Sequence, residues 1–61
     1  MKFKMFESVD SKSVMIDLEK IVAIEPWNGD ETKVITLNSS TQGIFLLKIS
    51  FEKMASYLTS H

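Results

Sequence analysis

Glu25, Asp30 and Glu31 lie close together in the chain and are its nearest approach to a grouping that could do chemistry. Neighbouring carboxylates can share general acid and base roles or hold a divalent cation. The rest of such a site is missing. No spacing around them matches a calcium loop, and no glycine-rich run could cradle phosphate. The three acids flank Pro26-Trp27-Asn28-Gly29, and loops collect exposed charge for ordinary reasons, so they read first as solvated loop acids. The only histidine is the terminal His61, and there is no cysteine to serve as nucleophile or thiolate ligand. The serines fall in turns, at a helix cap or on the helix, with no base to activate them. The sequence therefore predicts no catalytic residue, no metal site and no cofactor, and the enzyme class is set aside.

Trp27 is of another kind. A lone tryptophan between Pro26 and Asn28-Gly29 sits where loops usually hold polar side chains. Tryptophan is enriched at binding hot spots because one rigid side chain buries a large area at low entropic cost. The competing reading is a lid folded over one end of a small core. As an anchor, Trp27 would act with Asn28, Asp30 and Glu31 as a partner-binding loop.

These residues must be positioned by very little chain. Residues 1–61 make a single domain, and a domain this small buries only about 60% of its unfolded surface. Disulfides, metals and oligomerisation are the usual supports. With no cysteine and a terminal histidine, oligomerisation remains. Seven lysines, no arginine and a net charge of −1 argue against nucleic acid, since a binder gathers positive charge on one face and arginine reads guanine and phosphate. The lysines here are dispersed. The N-terminal residues lack the apolar run of a signal peptide, and no stretch approaches the ~20 apolar residues of a membrane span. A soluble, cytoplasmic protein is expected.

Hydrophobic periodicity supplies the elements. Lys2 to Ser8 alternates imperfectly as a first strand, and Val9-Asp10-Ser11-Lys12-Ser13 should reverse the chain. Val14, Ile16 and Leu18 have the period of a half-buried strand. Asp17 could cap one helical turn before residues 21–25 extend again. Pro26 to Glu31 reads as the clearest loop, with Asn28-Gly29 suited to positive φ. Thr32 to Asn38 alternates, placing Ile35 and Leu37 on one face and Val34 and Thr36 on the other. Asn38 to Gly43 is a polar connection, with Gly43 admitting a bulge or tight bend. After the strand at residues 44–49, Ser50 caps a helix to Leu58 whose Phe51, Met54, Ala55 and Leu58 form one apolar stripe. The fold class is α+β: a small antiparallel sheet of three to five strands with one C-terminal helix packed on one face.

That architecture leaves a surplus. With Phe45, Leu47 and Ile49 facing the helix beside Ile35 and Leu37, the opposite face would carry Val34, Ile44 and Leu46, joined by Val22. A monomeric antiparallel sheet normally shows a polar second face, and a contiguous apolar patch marks an interface. Val34, Ile44 and Leu46 are the expected homo-oligomer interface.

Ile21-Val22-Ala23-Ile24-Glu25, then Lys33-Val34-Ile35-Thr36-Leu37-Asn38, then Leu46-Leu47-Lys48-Ile49-Ser50-Phe51-Glu52 and an apolar helix, resembles the small flagellar FlbD-type proteins. Those are similar in length and carry comparable segments. The same rhythm is similar, more loosely, to LytTR-type DNA-binding domains and small phage proteins. The resemblance covers about three-quarters of the chain and implies the sheet-plus-helix fold. Departures are the longer Pro26-Trp27 loop, the replacement of a tight turn after Leu37 by Asn38-Ser39-Ser40-Thr41-Gln42-Gly43, and the lack of the basic loops a LytTR-like role requires. The functional expectation is a small non-catalytic binding or regulatory protein. It would act as a homo-oligomer by occupying a partner protein, in the manner of an accessory or phage-encoded inhibitor. The alternatives are a nucleic-acid-binding regulator and an oligomer that sequesters a small molecule between subunits.

Overall fold

The chain turns back on itself wherever polar side chains can satisfy the backbone locally. In the first reversal the Ser8 hydroxyl donates to the Asp10 carboxylate and accepts from Lys12 N at 3.2 Å, and Ser11 takes a left-handed φ of 66°. The computed structural model describes residues 1–59 and contains strands β1 (Phe3–Glu7) and β2 (Ser13–Asp17), a 3-10 turn (Leu18–Lys20), strands β3 (Ile21–Trp27), β4 (Glu31–Asn38) and β5 (Thr41–Leu47), and helix α1 (Phe51–Thr59). His61 lies outside the described residues. All strand pairs are antiparallel, and the protein is a small α+β fold.

The strands form two sheets, a β1–β2 hairpin and a β3–β4–β5 meander. They meet at one seam. Ser8 bridges Leu47, Lys48 N donates to the Glu7 carbonyl at 2.9 Å, and Val9 N donates to the Leu46 carbonyl at 3.0 Å. Above the seam the Lys48 ammonium donates to the Ser11 hydroxyl at 2.9 Å and lies 3.6 Å from the Glu7 carboxylate.

Two caps expected from side-chain type are present. Asp17 accepts from Glu19 N at 3.0 Å and opens the 3-10 turn, and Ser50 accepts from Lys53 N at 3.2 Å and opens α1. Each satisfies a donor that has no partner within the first turn. Asp17 also accepts from Lys2 N at 3.1 Å, which ties the start of β1 to the end of β2.

Helix, hairpin and meander share one core. Met54 comes from α1, Phe6 and Ile16 from the hairpin, and Val34 and Leu47 from the meander. Tyr57 packs its ring 6.2 Å from that of Phe6, and the Lys4 ammonium covers the Tyr57 ring at 4.4 Å. The helix therefore shares the inner side of the meander with the hairpin. Among the described residues Thr32 is the one buried polar residue, and its hydroxyl donates to the Ile49 carbonyl at 2.6 Å, closing the β5–α1 connection onto β4.

The faces of β4 are the reverse of the sequence expectation. Register pairs Val34 with Phe45 and Thr32 with Leu47, and these line the core. Ile35, paired with Ile44, and Leu37, paired with Gln42, point outward. Val34 is 0% exposed and is withdrawn from the interface proposed for it. Apolar residues on both faces of β4 gave alternation without direction, and the Thr32–Ile49 hydrogen bond fixes the direction. Gly43 also departs from expectation. It pairs regularly with Thr36, and the bulge falls instead between Ile21 and Ala23. That extra residue lets Ile21 and Ile24 both pack on the core, although three apart they would point to opposite sides of a regular strand.

Candidate functional site

The outer face of the meander is built by register alone. Across the three strands run the rows Glu25–Lys33–Leu46 and Ala23–Ile35–Ile44, followed by Leu37 beside Gln42. Ile44 is 57% exposed and Leu37 43%. Val22, the extra residue of the bulge, is 61% exposed. None of the described residues covers this face, because α1 and the hairpin both pack on the other side. Its charges are compensating: Lys33 stands directly opposite Glu25. Of the expected interface residues, Ile44 and half-buried Leu46 lie on this face, whereas Val34 is in the core. Ile35 and Leu37 are the residues that sequence reasoning sent to the wrong side.

Trp27 stands at one end of the same face. The expected loop over residues 26–31 contracts, because β3 runs through Pro26 to Trp27 and β4 begins at Glu31. Only Asn28, Gly29 and Asp30 turn the chain, with Gly29 at φ 58° and Glu31 N donating to the Asn28 carbonyl at 3.1 Å. Pro26 is admitted because β3 is an edge strand, where a missing donor costs no ladder bond. Since Pro26 pairs with buried Thr32 on the inner side, alternation turns Trp27 outward. It is 39% exposed, and the Lys33 ammonium lies 5.6 Å from its ring centroid. At that distance the cation and the ring attract by about 0.5–1 kcal/mol at an exposed site. Trp27 does not close the core. The structure brings Trp27, Asn28, Asp30 and Glu31 together at the hairpin end, with Glu31 directly across from Trp27.

A second apolar group lies on the hairpin. Phe3, Met5 and Met15 share the outer side of β1 and β2 and are all more than half exposed. Beside them a cleft of about 440 Å³ separates β2 from the meander, with Ile16 and Phe45 among its walls.

Among the described residues no group of three histidines, cysteines or acids is placed to hold a metal ion. No described helix is long and apolar enough to cross a membrane. Three serines are committed to turns and caps: Ser8 to the first reversal, Ser50 to the helix, and Ser56 to the Lys53 carbonyl at 2.7 Å. What the geometry offers is surface, above all the apolar row on the outer face of the meander with Trp27 at its end. A scan against protein-family models finds no match, and searches of curated proteins and of solved structures find no relative of this chain.

Proposed function

We propose that this chain is a small non-catalytic binding protein with regulatory action. It pairs with a second copy through the outer face of the meander and occupies a partner protein with the Trp27 end of that face. The observation that carries this reading is the uncovered row of Ala23, Ile35 and Ile44 with Leu37 beside it. A sheet face in a small monomer is ordinarily polar on its solvent side, and apolar exposure of this extent is characteristic of an interface. Lys33 and Glu25 lie side by side within it, so a symmetric contact can pair opposite charges across the two copies. Trp27 with its flanking turn supplies the large aromatic that hot spots favour.

Light scattering at tens of micromolar is the test. The reading predicts a mass above 7.0 kDa for the chain and a return to that mass for Ile44→Glu, with the helical and strand signals of circular dichroism retained. A clean monomer at that concentration rejects self-association. The partner role is tested separately by capture from the host's extract: Trp27→Ala should lose the captured protein while keeping the oligomeric state.

A further inference from the structure

The cleft beside the hairpin has a geometry that its volume alone does not convey. Met15, Ile16 and Asp17, three consecutive residues of β2, all line it. Successive side chains of a strand point to opposite faces, so a space touching all three lies along the edge of β2. That edge is open, since β2 pairs only with β1.

The hydrogen-bond pattern of the hairpin shows which backbone groups face the opening. Leu18 N donates to the Lys2 carbonyl at one end, and Ser8 N donates to the Lys12 carbonyl at the other. Bonded and non-bonded pairs alternate along an antiparallel ladder, so Val14 and Ile16 spend their backbone groups on β1. Ser13 and Met15 turn N–H and C=O away from it, toward the cleft, and Asp17 turns its N–H there while its carbonyl serves the 3-10 turn that follows.

We infer that the open edge of β2 takes up one extended, apolar segment of another polypeptide as an added strand. Main-chain bonds to Met15 and Asp17 would hold it, and alternate side chains would rest on Ile16 and Phe45 inside and on Met15 and Phe3 outside. Strand addition of this kind draws affinity from main-chain pairing and selectivity from alternate pockets. Size agrees with it. A strand residue occupies roughly 3.3 Å along, 4.8 Å across and 10 Å through a sheet, or about 160 Å³, so about 440 Å³ receives about three residues. The far wall is formed by Thr36 and Asn38 of β4 and Phe45 of β5. A second copy offering its own β2 would bring β1 hydrogen-bonded behind it, and two paired strands need at least twice the volume that one strand of the same length fills. This site is distinct from the Trp27 face, and neither depends on the other.

The test selects binders from a displayed library of random heptapeptides on the immobilised full chain, then follows one synthetic winner by amide NMR. The expected result is that the Met15 and Asp17 amides, exchanging freely in the unbound chain, become protected on binding. Met15→Pro should weaken the peptide at least tenfold. It removes a donor that faces the opening and leaves the β1 ladder intact, as proline requires at an edge. Should that variant not fold, a synthetic chain N-methylated at the Met15 amide removes the same donor. Ile44→Glu should leave peptide affinity within twofold. Three results would overturn the inference: no enriched peptide, binding that leaves the Met15 and Asp17 amides unprotected, or protection in the unbound chain that grows with its concentration, which assigns the edge to a second copy.

Discussion

Two glycines in this chain are required for different reasons, and substitution separates them. At Gly29 an added Cβ meets nothing within 4 Å, but φ is 58°, so Gly29→Ala costs about 1 kcal/mol through backbone strain alone. At Gly43 the backbone is ordinary, but a Cβ would stand 2.8 Å from the Thr36 hydroxyl and 3.2 Å from the Phe45 ring. Gly43→Ala must therefore turn the Thr36 hydroxyl aside and press on the Phe45 ring, so the Phe45 ring signals in an NMR spectrum should shift, whereas Gly29→Ala should leave them in place. Thr32 is a third case. Thr32→Val keeps the shape and leaves the Ile49 carbonyl without its donor, at a cost of about 1–3 kcal/mol, measurable by urea unfolding. Asp17 makes stability depend on pH. The bond from Lys2 N, seconded by that from Glu19 N, holds its carboxyl below the usual carboxylate range against an opposing effect of desolvation. A depressed folded-state pKa means the stabilisation is complete above the unfolded value and is lost as pH falls through the folded one. Asp17→Ala should accordingly lower the urea midpoint at neutral pH, and its gap from the parent chain should close in acid below the ordinary carboxylate value.

Among the elements, β4 decides how the molecule presents itself. Val34→Lys places a charge in the core and should unfold the chain, because a buried unpaired ammonium costs more than a domain this small has to spare. Ile35→Lys, one residue on, should still fold, losing only what association through the outer face contributes. Circular dichroism melts of the pair would reveal a slipped register at once. These two residues also show where sequence reasoning stops. The caps at Asp17 and Ser50 and the turn at Asn28-Gly29 were legible because each is local chemistry between a side chain and its own backbone. The antiparallel sheet and terminal helix followed from the hydrophobic period. Which side of β4 faces inward did not, since Val34 and Ile35 are equally apolar and the choice rests on a hydrogen bond from Thr32 to a residue seventeen positions away. Trp27 was assigned to a loop because it stands between Pro26 and Asn28-Gly29, and the place an edge strand makes for proline depends on strand order.

For the whole molecule, a core drawn from hairpin, meander and helix leaves little in reserve. A chain of this length carries roughly 3–9 kcal/mol of stability, and truncating buried methionine costs about 2–5 kcal/mol. Met54→Ala should therefore bring the isolated chain close to its unfolding midpoint at room temperature. If the outer face is an oligomer interface, raising protein concentration should recover part of the loss, because association stabilises the folded form by mass action. A melting temperature independent of concentration would count against that interface.

The seam between the two sheets has a consequence for the order of assembly. The hairpin and the meander are each built from neighbours in sequence, joined by short turns, and can form within microseconds. The seam joins Ser8 to Leu47, 39 positions apart, and must wait for both. Contacts made that late are absent from the transition state, so weakening them accelerates unfolding and leaves the folding rate almost untouched. Lys48→Met, which removes the ammonium bound to Ser11 above the seam, should steepen neither limb of a chevron plot but raise its unfolding limb. The lifetime of the folded protein is thus governed at the place where its first strand meets its last.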